Sequence, residues 1–109
     1  MTTYKMGDIL LVNFVYSSSV QSKKRPALVI LDINDADIIL APVTTKERKE
    51  AGDYKLKDWN HSGLLKESWV RLAKIACLNK ANILCQLGKL TDYDKDVISK
   101  IWHNLYLFI

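Results

Sequence analysis

The sequence has few of the residues that build disulfide frameworks, metal sites or membrane spans. Its 109 residues include two cysteines, two prolines, four glycines and two histidines. Cys77 and Cys85 lack CxxC spacing, which favours free thiols in a reducing compartment. No apolar run approaches bilayer-spanning length, and no basic-then-apolar segment resembling a signal peptide opens the chain. No metal-ligand spacing, Walker loop or nucleophile elbow occurs. We therefore expect a cytoplasmic protein with no metal, no cofactor and no membrane partner.

The composition is that of an ordinary globular chain. Apolar residues make up 49% and charged residues 26% of the sequence, which is typical of soluble domains. The length predicts a single domain over residues 1–109, long enough to bury a core without disulfides. The formal net charge of +4 is compatible with an anionic partner but does not require one.

Short apolar runs predict a mainly β fold. Asp8–Val15 is apolar almost throughout, so we expect a strand that is buried on both faces or nearly so. A second strand is expected to begin at Pro26, because proline lacks an amide hydrogen and is tolerated at a strand's first residue. Gly88 is expected to mark a bend or bulge. Further strands are predicted over residues 38–44, 54–57, 68–77 and 83–90.

One helix is predicted after the strands. Thr91, with an acid three residues later, is typical of a helix start, and an apolar stripe then recurs at helical spacing. This stripe comprises Val97, Ile98, Ile101, Trp102 and Leu105. The element order predicts an α+β fold in which short strands form a small barrel or a strongly curved sheet. The apolar C-terminal residues 106–109 are expected to pack under this barrel or against another chain.

A cluster of cations precedes the second predicted strand. Lys23, Lys24 and Arg25 stand directly before Pro26, where a positive cluster suits a phosphate-bearing partner. The polar segment before it supplies further candidate contacts to a nucleic-acid backbone or base edge, namely Ser19, Gln21 and Ser22. The alternative is a solvated lysine pair that follows a loop without a function.

In order and spacing, these segments resemble the MazF/PemK family of toxin endoribonucleases over nearly the whole chain. The motifs that carry the resemblance are Gly7-Asp8, Arg25-Pro26, Pro42-Val43-Thr44-Thr45, Ser68-Trp69-Val70-Arg71-Leu72 and Leu87-Gly88-Lys89-Leu90-Thr91. The resemblance implies an SH3-like barrel with a terminal helix, usually a homodimer, that cleaves single-stranded mRNA without a metal. In this chemistry the substrate's 2′-hydroxyl attacks the adjacent phosphorus and leaves 2′,3′-cyclic phosphate and 5′-hydroxyl ends. The resemblance also implies a cognate antitoxin whose acidic tail occupies the RNA groove.

The resemblance assigns catalytic roles to two residues. Arg25 corresponds to the family's catalytic arginine, and its planar, charged guanidinium suits stabilisation of the transition state. Thr44 corresponds to the catalytic threonine, whose hydroxyl can bond a phosphate oxygen. Thr45 is the alternative if the register is shifted by one residue. Without the family pattern, Arg25 would be interpreted as a solvated charge beside a strand.

Arg71 is a third candidate. In one branch of the family an arginine at this place works with an aspartate two residues later, but here that position is Ala73. A carboxylate general base is therefore missing where that branch has it. Arg71 has three open interpretations: a catalytic group, a phosphate ligand, or a surface partner of Glu67.

Aromatic and imidazole side chains give weaker candidates. Trp59 is a candidate for stacking on bases, whereas Trp69 is expected in the core. His61 is a minor acid–base candidate, and His103 is expected on the helix surface. A rival hypothesis is a non-catalytic binding module, because a related toxin family with the same barrel poisons DNA gyrase by protein contact. A copy that retains only the fold and antitoxin binding is a third possibility.

Overall fold

The computed structural model describes residues 2–15 and 22–107, which form an antiparallel sheet followed by a helix. The fold is mainly β with one C-terminal α-helix, as predicted. The strands are β1 Asp8–Val15, β2 Ser22–Leu31, β3 Asp37–Thr44, β4 Asp53–Lys55, β5 Trp69–Arg71, β6 Ala76–Asn79 and β7 Ile83–Lys89. Helix α1 covers Asp92–Leu105, and short 3₁₀ helices cover Trp59–His61 and Lys80–Asn82.

The sheet curves until its two ends approach each other. Its strand order is β4-β5-β3-β2-β1-β7, and β6 also pairs with β3. The loop after β4 lies against β7, where a Cβ on Gly63 would come within 2.1 Å of the Leu87 carbonyl oxygen. Gly63 also has a φ of +88°, which a residue with a side chain adopts only under strain. The described sheet therefore closes into the small barrel-like form that the sequence predicted.

Each face of the sheet carries a buried hydrophobic cluster. Ile9 and Leu10 are neighbours on β1, and each is 0% exposed. Ile9 belongs to a cluster that includes Leu28, Val43 and Ile98 of the helix. Leu10 belongs to a second cluster on the opposite face, because successive strand residues point to opposite sides. The predicted burial of the first strand on both faces is confirmed.

The helix begins at the predicted cap. The Thr91 hydroxyl accepts a hydrogen bond from the Asp94 amide at 3.4 Å. Ile98 is fully buried in the first cluster, and Ile101, Trp102 and Leu105 pack against it. The helix therefore covers one face of the sheet. None of the helices in the described part of the chain combines the length and apolarity needed to cross a bilayer.

Three predicted strands were wrong in their bounds. β2 begins at Ser22 rather than Pro26, because residues 22–25 pair with the end of β1. The predicted strand over 68–77 is two strands, β5 and β6, which pair with opposite ends of β3. After β5 the Lys74 amide donates to the Arg71 carbonyl at 3.1 Å, so a turn separates the two strands. The predicted edge strand over 54–57 is shorter and covers Asp53–Lys55.

The predicted irregularity at Gly88 is confirmed. Ile9 pairs with Gly88 and the next residue of β1, Leu10, pairs with Gln86, so the register shifts by one residue. The extra residue bends β7 beside the loop that closes the sheet, since a bulge increases local twist.

Candidate active site

The register of the central strands brings Arg25 and Thr44 together. Ala27 pairs with Pro42, and the same register continued for two residues sets Arg25 opposite Thr44. Directly opposed residues project from the same face of a sheet. Both side chains therefore lie where β2 and β3 diverge, on the face that carries the second hydrophobic cluster.

A cavity of about 460 Å³ opens beside this pair. Its lining contains four cations and three hydroxyl side chains, and no carboxylate among the residues described. The cations are Lys23, Lys24, Arg25 and Lys46, and the hydroxyls are Thr44, Thr45 and Ser68. This volume lies in the range of about 300–1,000 Å³ that is usual for ligand pockets. The lining is suited to an anionic ligand.

A hydrogen bond to the Thr44 hydroxyl oxygen orients the hydroxyl as a donor. The Lys46 amide donates to Thr44 Oγ1 at 3.2 Å. Because the oxygen already accepts this bond, its own proton is available for a ligand oxygen. Thr45 follows the last residue of β3 and lines the same cavity, but only Thr44 also borders the cavity described next.

A second cavity of about 260 Å³ shares a wall with the first. Arg25, Val43 and Thr44 line both cavities. Arg48, Arg71 and Lys74 add further cations to the second. The Nε atoms of Arg25 and Arg48 are buried without a hydrogen-bond partner in the described structure. Such orphaned donors are uncommon in structural positions.

Arg71 pairs with carboxylates that the sequence analysis did not consider. Its Nε lies 3.1 Å from Asp53 Oδ1 and its Nη2 lies 3.6 Å from Glu50 Oε2. The Asp53 side chain is 1% exposed and that of Arg71 is 17% exposed. The suggested pairing with Glu67 is wrong, because Glu67 contacts Lys55 at 3.3 Å. Arg71 is thus fixed at the edge of the second cavity.

The remaining candidates lie apart from these cavities or outside the described residues. Trp59 and His61 belong to the 3₁₀ helix after β4, and neither lines either cavity. Trp59 packs against the first hydrophobic cluster. Ser19 and Gln21 lie outside the described residues, and Ser22 is described only as a strand position.

Two further expectations concern side chains away from the site. Trp69, which was expected in the core, is partly buried and pairs with Thr44. His103 is exposed on α1, as predicted, with its Nδ1 2.7 Å from the Ser99 carbonyl oxygen.

Five charged residues of the site were not named as candidates in the sequence analysis, namely Lys46, Arg48, Glu50, Asp53 and Lys74. The first four lie between the strands predicted over residues 38–44 and 54–57, and Lys74 lies within the strand predicted over residues 68–77. Their charges were visible in the sequence, but only the folded loops bring them beside Arg25 or Arg71. No group of three or more His, Cys, Asp or Glu side chains within residues 2–15 and 22–107 is placed to hold a metal ion.

The family model for "PemK-like, MazF-like toxin of type II toxin-antitoxin system" matches residues 5–108. The chain therefore belongs to this family. No curated protein sequence matches it at a significant level.

Solved structures support the fold at low sequence identity. The MazE–MazF structure (Form-II) from Deinococcus radiodurans has a TM-score of 0.77 and 17% identity, with 100% of each chain covered. Mycobacterium tuberculosis toxin MazF-mt6 has a TM-score of 0.75 and 18% identity, covering 94% of this chain and 98% of that one. A mycobacterial endoribonuclease in complex with its cognate antitoxin has a TM-score of 0.74 and 16% identity, with 95% of each chain covered. The likeness is one of fold.

Proposed function

We propose that this chain is a metal-independent endoribonuclease toxin that cleaves single-stranded mRNA at a specific sequence. The observation that carries the proposal is the juxtaposition of Arg25 and Thr44 at the wall of a cavity lined by cations. Family membership supports the same activity. The products are a 2′,3′-cyclic phosphate and a 5′-hydroxyl, as the family resemblance implies.

The proposed chemistry requires positioning and positive charge. The RNA 2′-oxygen loses its proton and forms a bond to the adjacent phosphorus, and the bond to the 5′-oxygen breaks. The 5′-oxygen leaves and takes up a proton. Arg25 stabilises the charge that develops on the phosphorane oxygens, and the Thr44 hydroxyl donates a hydrogen bond to one of them. Lys23, Lys24 and Lys46 hold the flanking backbone electrostatically.

A specific observation favours the binding-only alternative. Neither cavity is lined by a carboxylate or an imidazole within the described residues, so the usual side-chain general base is missing there. A protein with this lining can hold RNA, or an acidic segment of a protein, without cleaving it. Cleavage would then be absent although RNA binding persisted.

The proposed partners are a cognate antitoxin and a second copy of the chain. An acidic, partly disordered antitoxin tail complements a groove lined by cations. Two of the structural neighbours are complexes of a toxin with its antitoxin. We propose a homodimer with RNA across the groove between the β1–β2 loops. In this proposal the apolar C-terminal segment forms part of the dimer contact.

The test uses long single-stranded RNA in the presence of EDTA. We expect the purified protein to cut it at a recurring short sequence, and Arg25→Ala and Thr44→Val to lose this cutting while remaining folded. Lys100→Ala, which removes an exposed cation from the helix, is the control and should cut normally. Intact RNA that still binds the folded dimer would replace the nuclease proposal with the binding-only alternative.

A further inference from the structure

All three arginines of the chain border a single cavity. Arg25, Arg48 and Arg71 line it together with Lys74, and the remaining lining is apolar apart from one threonine. Its volume of about 260 Å³ is below the range of about 300–1,000 Å³ that is usual for drug-sized ligands. The cavity therefore suits a small anionic group rather than a whole nucleotide.

Most of this charge lacks an ion pair in the described part of the chain. None of the ion pairs within residues 2–15 and 22–107 involves Arg25, Arg48 or Lys74. The Nε–H groups of Arg25 and Arg48 are shielded from solvent and have no acceptor there. A buried guanidinium donor without an acceptor is costly. An anion in the cavity would offset this cost by neutralising the cluster.

Arg71 differs because it is held in place. Asp53 and Glu50 contact its Nε and Nη2 at 3.1 and 3.6 Å. Its Nη1 edge has no ion pair in the described structure, so it keeps donors for a ligand. The carboxylates fix the plane of the guanidinium, which lowers the entropy lost when a ligand binds.

The cavity is adjacent to the proposed cleavage site. Arg25, Val43 and Thr44 line both cavities, so these three residues form the wall between groups bound in the two cavities. Consecutive phosphates of one RNA strand suit two such adjacent cavities, because a single nucleotide links them.

We infer that the cavity bounded by Arg48, Arg71 and Lys74 is a second phosphate-binding subsite, which holds an RNA phosphate adjacent to the one that is cleaved. This inference rests on the proposed endoribonuclease function. Arginine forks match phosphate oxygens bidentately, and the shared wall places the subsite on the path of the scissile strand. An acidic antitoxin side chain is the competing occupant, and the experiment below distinguishes it.

The experiment measures cleavage of a short RNA that contains one mapped cut site. Arg48→Ala and Lys74→Ala should each raise KM roughly tenfold with kcat little changed, because they remove binding to a phosphate that does not react. Each should also make the slope of log(kcat/KM) against log[NaCl] shallower by about 0.7, the value for one phosphate contact on a single strand. Lys100→Ala, which removes the same charge from the helix, should change neither.

A neutral methylphosphonate at each phosphate beside the cut then locates the contact. At one position it should weaken cleavage by the wild type but have little further effect on Arg48→Ala. Equal loss in both proteins at every position would overturn the subsite, as would a salt slope unaffected by either variant. Variants that cut RNA normally but bind an acidic antitoxin peptide more weakly would assign the cavity to that peptide instead.

The same design remains decisive if the wild type does not cut RNA. Binding of the short RNA is then measured over the same salt series. A shallower slope for Arg48→Ala and Lys74→Ala would support the subsite although the nuclease proposal had failed. An unchanged slope would overturn the subsite independently.

Discussion

Two charged regions of this molecule differ in how far their buried polar groups are hydrogen-bonded within the protein. At the start of α1, the buried carboxylate of Asp94 accepts hydrogen bonds from the Tyr54 hydroxyl at 2.6 Å and from the Lys57 and Asp58 amides at 3.0 and 2.8 Å. At the other region, the Nε atoms of Arg25 and Arg48 have no described partner. The first region is satisfied internally, as structural polar groups are. In the second region these two Nε–H donors have no acceptor within the described residues, which is expected where a bound ligand supplies the acceptor.

The hydrogen bonds around Asp94 also change the pKa of Tyr54. Burial and the hydrogen bond to Asp94 raise the pKa of the Tyr54 phenol well above its usual value. The phenol therefore stays protonated and continues to donate to Asp94 in the physiological range. Asp94 thus joins the loop after β4 to the helix, which in turn covers one face of the sheet.

The largest expected effect comes from Arg25 in the unsatisfied region. Arg25→Ala should lower the cleavage rate by about 100- to 1,000-fold, the usual loss when a donor to transition-state charge is removed. Its melting temperature should change little, because the side chain has no described ion pair and its Nε no hydrogen-bond partner. Single-turnover cleavage and thermal unfolding check this. An unfolded variant, or one that still cuts at the wild-type rate, would contradict the claim that Arg25 acts in cleavage and contributes little to the stability of the fold.

Asp94 should show the reverse behaviour. Asp94→Ala leaves three donors without their acceptor, which should lower the free energy of unfolding by about 3 kcal/mol. Asp96→Ala is the matched control, since its carboxylate pairs with Lys100 on the exposed helix surface and should contribute less than about 1 kcal/mol. Urea denaturation of both variants makes the comparison. Equal decreases in the free energy of unfolding would show that the hydrogen bonds to Asp94 stabilise the fold no more than the exposed ion pair does.

A substitution at Asp53 tests whether the carboxylate that contacts Arg71 also contributes to RNA cleavage. We expect Asp53→Asn to lower kcat/KM roughly tenfold, because a neutral amide replaces the carboxylate that holds the Arg71 guanidinium. In an Arg71→Ala background the same substitution should have little further effect on cleavage. A double-mutant cycle of cleavage kinetics measures this coupling. Additive losses would mean that Asp53 acts on stability alone.

The smallest effect should come from the buried pair of Asp32 and Lys80. Burial raises the pKa of the Asp32 carboxyl, but hydrogen bonds from the Tyr4 amide, Lys80 and the Asn34 amide outweigh this and lower it below 3.8. A depressed pKa in the folded state stabilises the protein above about pH 4, and this contribution is lost as the pH falls through the folded value. Urea denaturation of the wild type and Asp32→Asn from pH 7 to pH 2 should therefore converge in acid. A constant difference would contradict the assignment.

Much of the fold could be predicted from local pattern. The apolar run Asp8–Val15 and the Thr91 cap specify their elements through side chains close in sequence. The division of residues 68–77 could not be predicted in this way, because its two halves pair with different segments that are distant in sequence: β5 with β4 and one end of β3, and β6 with the other end of β3. Such pairings leave no trace in the local alternation.

Some residues of the candidate site could likewise be predicted from the sequence, and others could not. Arg25 and Thr44 could be proposed because they belong to motifs that resemble the family's. Arg48 and Lys74 could not, because a charge in a loop is usually solvated, and only the folded chain brings them to the cavity beside Arg25. Asp53 was missed for the same reason. The absence of a carboxylate at position 73 was visible, but the carboxylate that instead contacts Arg71 was not.

The most direct test of the central claim concerns the attacking group. A short RNA with one cleavage site is prepared with a single 2′-O-methyl group, placed either on the nucleotide 5′ to the cut or on a distant nucleotide, and is incubated with the protein in EDTA. Attack by the substrate's own 2′-hydroxyl beside Arg25 and Thr44 predicts that the first RNA stays intact while the second is cut. Cleavage of both at the same position would contradict this mechanism.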